Sequence, residues 1–158
     1  MILKSNDLKV NQIIKTTFTC DGENISPHLY WSGFPENTKS FALMLINKDS
    51  EIGILGHWYV INIPKDITEI LRGANVPGIV IENDFGNLFY DGPCPKNGIN
   101  HYAFQIFALT QEKIEGVDKT NFRKFMRNNS LDSAELSFKY KRKFDFKQFR
   151  FNSCHSCN

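Results

Sequence analysis

Apolar residues in this chain gather in short continuous runs rather than at helical spacing. Residues 41–46, 58–63, 79–81 and 103–109 are rich in β-branched and aromatic side chains, and each run is bounded by Gly, Pro, Asn or Asp. Runs of this length with this punctuation predict strands. They are continuous rather than alternating, so both faces of these strands are predicted to be covered. Helical spacing is weak elsewhere. A turn or two is expected over residues 67–71 after Pro64, and a better helix is expected from Asp118. There Asp118 or Thr120 caps the helix, and Phe122, Phe125 and Met126 share one face. A last strand is expected over residues 134–140. Many strands with few short helices predict a mostly β, sandwich-like domain.

Composition narrows the class further. A length of 158 residues fits one domain, able to bury roughly 70% of its unfolded surface without a metal or disulfide staple. Lys and Arg number 19 against 17 Asp and Glu, a net charge of +2 that argues against a dedicated nucleic-acid binder. No apolar stretch approaches the roughly 20 residues that cross a bilayer, and residues 1–12 lack the apolar segment of a secretory signal. Cys20, Cys94, Cys154 and Cys157 are therefore expected to be free thiols in a reducing, cytoplasmic setting. From residue 138 onward the composition shifts to Lys, Arg and Phe. We place the domain at 1–140 and a basic, aromatic C-terminal extension at 141–158. In this tail Phe138, Tyr140, Phe144 and Phe146 keep one parity, which fits a strand better than a nucleic-acid or membrane patch. At most a peripheral membrane contact is expected. Cys154-His155-Ser156-Cys157 supplies three ligands at best, too few for structural zinc, so no metal and no other cofactor is expected.

Three segments carry candidate chemistry. Gly92-Pro93-Cys94-Pro95-Lys96-Asn97-Gly98 precedes a buried run. Its prolines stiffen the backbone and its glycines allow sharp turning, so it suits backbone capture of an anion. It serves equally well as a rigid lead-in to a strand. His57 lies at the mouth of another run, eight residues after Asp49, where an imidazole donates to an oxyanion or simply caps the backbone. Residues 20–31 read as a turn followed by an extended segment. An enzyme reading would pair Asp49 with His57 and use Cys94 or a serine as nucleophile. No nucleophile signature accompanies them, so catalysis is not expected.

Taken together, these segments resemble the phosphatidylethanolamine-binding proteins, in particular their short bacterial-type, Raf kinase inhibitor-like branch. FTCDGENISPHLYW at 18–31, NKDSE followed by HWYVINIP within 47–64, and NDFG, Tyr90 and GPCPKNGINHY within 83–102 follow the family's motifs in order and spacing. The resemblance implies a large antiparallel sheet packed on a smaller one, with a small pocket for phosphate-like anions. It assigns Asp49, His57, Gly92, Pro93 and Tyr102 to that pocket. Asn47 stands where the family has an aspartate, and Asn100 where it has a second histidine. Lys48 and Glu51 replace two prolines. His101 is expected to point to the opposite sheet face. With a neutral Asn47, His57 is expected to titrate near its ordinary value of about 6.5. The resulting expectation is a binding module for small anionic or phosphorylated ligands, such as a phospholipid head group, with a regulated protein partner. The alternative is a kinase or protease inhibitor acting through protein contacts without a required ligand. A homodimer is implied by the resemblance alone.

Overall fold

The four apolar runs are strands of one sheet; residues 41–46, 58–63 and 103–109 are covered on both faces, whereas Ile79 of the short run 79–81 is exposed. The computed structural model describes residues 1–142. In sequence order these form β1 (Ile2–Lys4), β2 (Leu29–Ser32), β3 (Ser40–Ser50), β4 (Gly53–Pro64), β5 (Glu69–Ile70), β6 (Ile79–Ile81), β7 (Ile99–Leu109), α1 (Phe122–Asn129) and β8 (Ser130–Lys141). The large sheet has the order β6-β4-β3-β7-β8 and the small one β1-β2-β5. Every strand pairing in both sheets is antiparallel. This is the expected fold, a large antiparallel sheet on a smaller one with little helix.

Alternation along β3 and β7 sorts their side chains into two cores. Leu43, Leu45, Phe104 and Ile106 pack towards the small sheet, where Leu29, Trp31 and Ile70 meet them. Ala42, Met44, Ile46 and Phe107 face the other way and are covered by Phe122 and Met126 of α1. Two apolar faces explain why these strands read as unbroken hydrophobic runs. Met126 is fully buried beneath the sheet. Met126→Ala is expected to cost about 2–4 kcal/mol in denaturant unfolding; a loss below 0.5 kcal/mol, roughly a surface effect, would contradict this packing.

Local details depart from expectation in identifiable ways. Residues 67–71 do not make a helical turn. Ile67 closes a turn onto Pro64, and Glu69–Ile70 then pairs with β2 so that Ile70 reaches the core. Asp118 caps the turn before α1 rather than the helix itself. Its carboxylate accepts from Thr120 N at 2.8 Å and Asn121 N at 3.2 Å, while its carbonyl receives Phe122 N. The last strand starts earlier than predicted because Ser130 ends α1 on Met126 O and enters β8 directly.

The predicted parity holds at 138 and 140, where Phe138 and Tyr140 are buried. Lys141 still belongs to β8. Arg142 bonds Asp21 at 2.9 Å, and the Tyr140 hydroxyl donates to the same carboxylate at 2.5 Å. The rest of the predicted extension, including Cys154-His155-Ser156-Cys157, lies outside the described residues. Among the described residues no helix is long and apolar enough to cross a membrane.

Candidate functional site

A cavity of about 340 Å³ opens where the β3–β4 hairpin turns, beside the loop that leads into β7. Its floor and near wall come from Asn47 on β3, His57 on β4 and Asn100 on β7. The hairpin tip adds Glu51 and Ile52, the loop after β6 adds Asp84 and Phe85, and residues 94–97 close the far side. Glu51 lines the cavity at the hairpin tip, just past the Ser50–Gly53 pair, while Lys48 lies in the register break before it.

His57 lines this cavity from β4. It is only 2% exposed. Its Nδ1 lies 2.9 Å from the Asp91 carbonyl oxygen, which only accepts, so Nδ1 carries the proton. Nε2 is buried and has no hydrogen-bond partner among the described residues. Phe85 and Tyr102 hold the ring edge-on at 4.8 and 5.5 Å. Burial pushes the imidazole pKa below its ordinary value of 6.5. The backbone of Asp91 and Gly92 and the carboxylates of Asp91 and Asp84 pull the other way without winning. The expectation of an ordinary pKa is thereby corrected: desolvation, rather than the missing carboxylate at 47, sets the shift.

Asn83 fixes the segment that carries Phe85. It is fully buried, donates to His57 O at 2.9 Å and to Asp91 Oδ2 at 2.7 Å, and accepts from Phe85 N and Asn87 N. One amide thus ties the histidine strand to the loop over its ring. The NDFG motif held this information, but nothing in its letters says that the asparagine would bond on both sides.

The other predicted residues divide into those at the cavity and those behind it. Asn47 and Asn100 line it. Asn47 Nδ2 lies 3.5 Å from the Tyr102 hydroxyl, and its Oδ1 accepts from Asp49 N at 2.9 Å. Tyr102 is fully buried and sits under this floor as a neutral phenol. Burial raises its pKa, against hydrogen bonds from Cys94 N–H and Asn100. Gly92 and Pro93 stand behind the wall. A Cβ on Gly92 would strike the Phe18 carbonyl, its N–H donates to Asn24 Oδ1 at 2.8 Å, and Pro93 O accepts from Cys20 N at 3.2 Å.

Asp49 is not among the cavity-lining residues. The register of β3 breaks between Asn47 and Ser50, so strict alternation no longer holds Asp49 on the face of Asn47. Its carboxylate instead accepts from His101 N at 2.7 Å and His101 Nδ1 at 2.5 Å, on an exposed surface. The hydrogen bonds from His101 hold its pKa below the usual carboxylate value.

Cys20 and Cys94 form a disulfide. This corrects the expectation of free thiols, and with it the ground for a reducing compartment, since disulfides persist where surroundings are oxidising. Their closeness in space is invisible in a sequence separation of 74 residues. Cys94 lines the cavity, so the bond clamps its wall onto the turn at residues 19–22.

Comparison with known proteins agrees with this fold. The sequence profile described as phosphatidylethanolamine-binding protein matches residues 4–141. A UPF0098 protein of Aquifex aeolicus is 37% identical over 148 residues, spanning 87% of this protein and 86% of its own length. YbcL of Escherichia coli is 38% identical over 126 residues, spanning 70% and 69%. The crystal structure of YbcL matches with a TM-score of 0.80 at 32% identity, over 89% of this protein and 98% of that one. A homologue from Chlamydia trachomatis matches with a TM-score of 0.82 at 28% identity, over 90% and 97%.

Proposed function

This chain belongs to the phosphatidylethanolamine-binding protein family, and we propose that its cavity binds a small phosphorylated ligand of the head-group kind. The observation that carries this reading is the buried Nε2 of His57, unpartnered among the described residues, in a cavity also lined by the amides of Asn47, Asn97 and Asn100. A buried polar atom without a partner is costly, and a ligand oxygen would satisfy it. As a neutral acceptor Nε2 takes a proton from a phosphate O–H; once protonated it donates to a phosphate oxygen. Asn47 and Asn100 supply further N–H donors.

Among the described residues, the same cavity is lined by Glu51 and Asp84 and by the lysine Lys96. A bare anion is therefore held less tightly there than a zwitterion such as phosphoethanolamine, which also offers its ammonium to the carboxylates. A role in binding rather than catalysis fits the disulfide, which consumes the Cys94 thiol that a nucleophilic mechanism would use.

Calorimetric titration with phosphoethanolamine tests this reading. Saturable binding in the wild type that weakens at least about tenfold in His57→Ala, the worth of one charge-assisted hydrogen bond, is the expected result. Equal binding by both proteins would remove His57 from the site. The second reading is an inhibitor acting through protein contacts. It draws on exposed Ile52 and Phe85, which line the cavity, and it predicts no phosphoethanolamine binding at all.

A further inference from the structure

The cavity wall contains one peptide bond built for a covalent change. Asn97 and Gly98 follow each other, both are exposed, and Asn97 lines the cavity. Glycine at the second position has no Cβ to block approach of its own nitrogen to the preceding amide. A Cβ placed on Gly98 would meet nothing within 4 Å, so the bond has room to turn. No backbone hydrogen bond holds the Gly98 N–H among the described residues.

Two chemically related pairs show the contrast. Asp21-Gly22 and Asp91-Gly92 also place an aspartyl group before glycine. Gly22 N–H is held by Thr19 O at 3.1 Å, and Gly92 N–H by Asn24 Oδ1 at 2.8 Å. Both glycines are also pressed against backbone of residues 16–19. Their nitrogens are not free to swing onto the neighbouring aspartyl group.

We propose that Asn97 is a site of spontaneous deamidation that adds a negative charge to the ligand cavity. The Gly98 nitrogen attacks Cγ of Asn97. A new bond between that nitrogen and Cγ closes a five-membered succinimide, the Cγ–Nδ2 bond breaks, and Nδ2 leaves as ammonia with the proton lost from the Gly98 N–H. Water then opens the ring at either carbonyl and leaves aspartate or isoaspartate. The net change is one water consumed, one ammonia released and one unit of negative charge gained; no oxidant or catalyst is needed. The wall already holds Glu51 and Asp84 against Lys96, so a further carboxylate repels an incoming anion. This consequence rests on the proposed anion-binding role, whereas the covalent step does not.

The test ages the full-length protein in mildly alkaline buffer and follows it by peptide mass mapping with isoaspartate detection. Conversion concentrated at Asn97, yielding both aspartate and isoaspartate, is expected, ahead of exposed Asn37, Asn75 and Asn128. Asn97→Gln should abolish it, because a six-membered ring closes far more slowly. Asn97 surviving as amide while those others convert would overturn the proposal, whether or not the cavity binds anions. Sulfate titration then reads the charge. Aged wild type and Asn97→Asp should each bind roughly three- to tenfold more weakly than fresh protein, and aged Asn97→Gln should match its fresh form. Conversion at Asn97 with unchanged affinity would overturn the coupling to the cavity. Fresh wild type that fails to bind sulfate would count against the cavity's assigned role instead, leaving the mass map to judge the site.

Discussion

Replacing both Cys20 and Cys94 by serine is expected to lower the unfolding free energy by about 4.5 kcal/mol. The bond joins residues 74 apart in sequence, and the loop-closure entropy for that length gives roughly this value at 25 °C. The clamp also holds the wall residue Cys94 against the turn at 19–22. Gly92 N–H to Asn24 and Cys20 N–H to Pro93 O lie in the same contact, so losing the covalent tie loosens bonds that shape the cavity. Denaturant unfolding of wild type and the double variant, each with and without a dithiol reductant, checks this. Wild type should fall to the level of the variant on reduction, and the variant should not respond. Identical midpoints for oxidised and reduced wild type would show that the two cysteines are not paired in solution.

Sulfate affinity is expected to fall as pH rises, and His57 is the reason. The free imidazole is neutral over most of the physiological range because burial depresses its pKa below 6.5. A bound dianion favours the charged ring, so binding takes up a proton. By linkage, affinity is greatest at the acid end and begins to fall once pH passes the depressed pKa of the free ring, below the ordinary histidine value. His57→Ala should bind at least about tenfold more weakly with no such slope, as expected when a charge-assisted hydrogen bond is removed. Asn47→Asp should also bind more weakly than wild type, with its midpoint moved upward, since a carboxylate there repels sulfate and supports imidazolium. The same depressed pKa has a folding counterpart. The unfolded protein takes up the proton more readily, so stability falls as pH drops below about 6.5 towards the folded value. Titrations between about pH 5.5 and 8 in the three proteins read the binding slope. A wild-type slope that survives His57→Ala would assign the proton uptake elsewhere.

Much of the fold was legible in the sequence because burial on two faces writes an unbroken apolar run. Residues 41–46 and 103–109 announced the central strands, and Phe122 with Met126 announced the covering helix. Glu69–Ile70 was not legible. A two-residue strand has no periodicity to read, and its identity comes from pairing with Leu29 and Tyr30. At the site, His57, Asn47 and Asn100 were found through motif order, and they do meet at one cavity. Asp49 was placed at the pocket by motif match alone, which does not show that at the register break before Ser50 its carboxylate turns to His101. Asp84, Phe85 and the Glu51–Ile52 tip arrive from loops whose direction depends on Asn83 and on hairpin pairing. The disulfide was lost for a different reason. Compartment was inferred from residues 1–12, whereas the pairing is decided by which loops the sheets bring together.

The most direct test of the account is nitrogen NMR of the His57 imidazole, with and without phosphoethanolamine. In the free protein near pH 7 the ring should be neutral, with its proton on Nδ1 facing the Asp91 carbonyl and Nε2 showing the shift of a bare acceptor. Adding phosphoethanolamine should move the Nε2 signal towards a hydrogen-bonded or protonated nitrogen while Nδ1–H stays in place. An Nε2 signal unchanged at concentrations that saturate any measured binding would contradict the claim that this nitrogen is the centre of the ligand site.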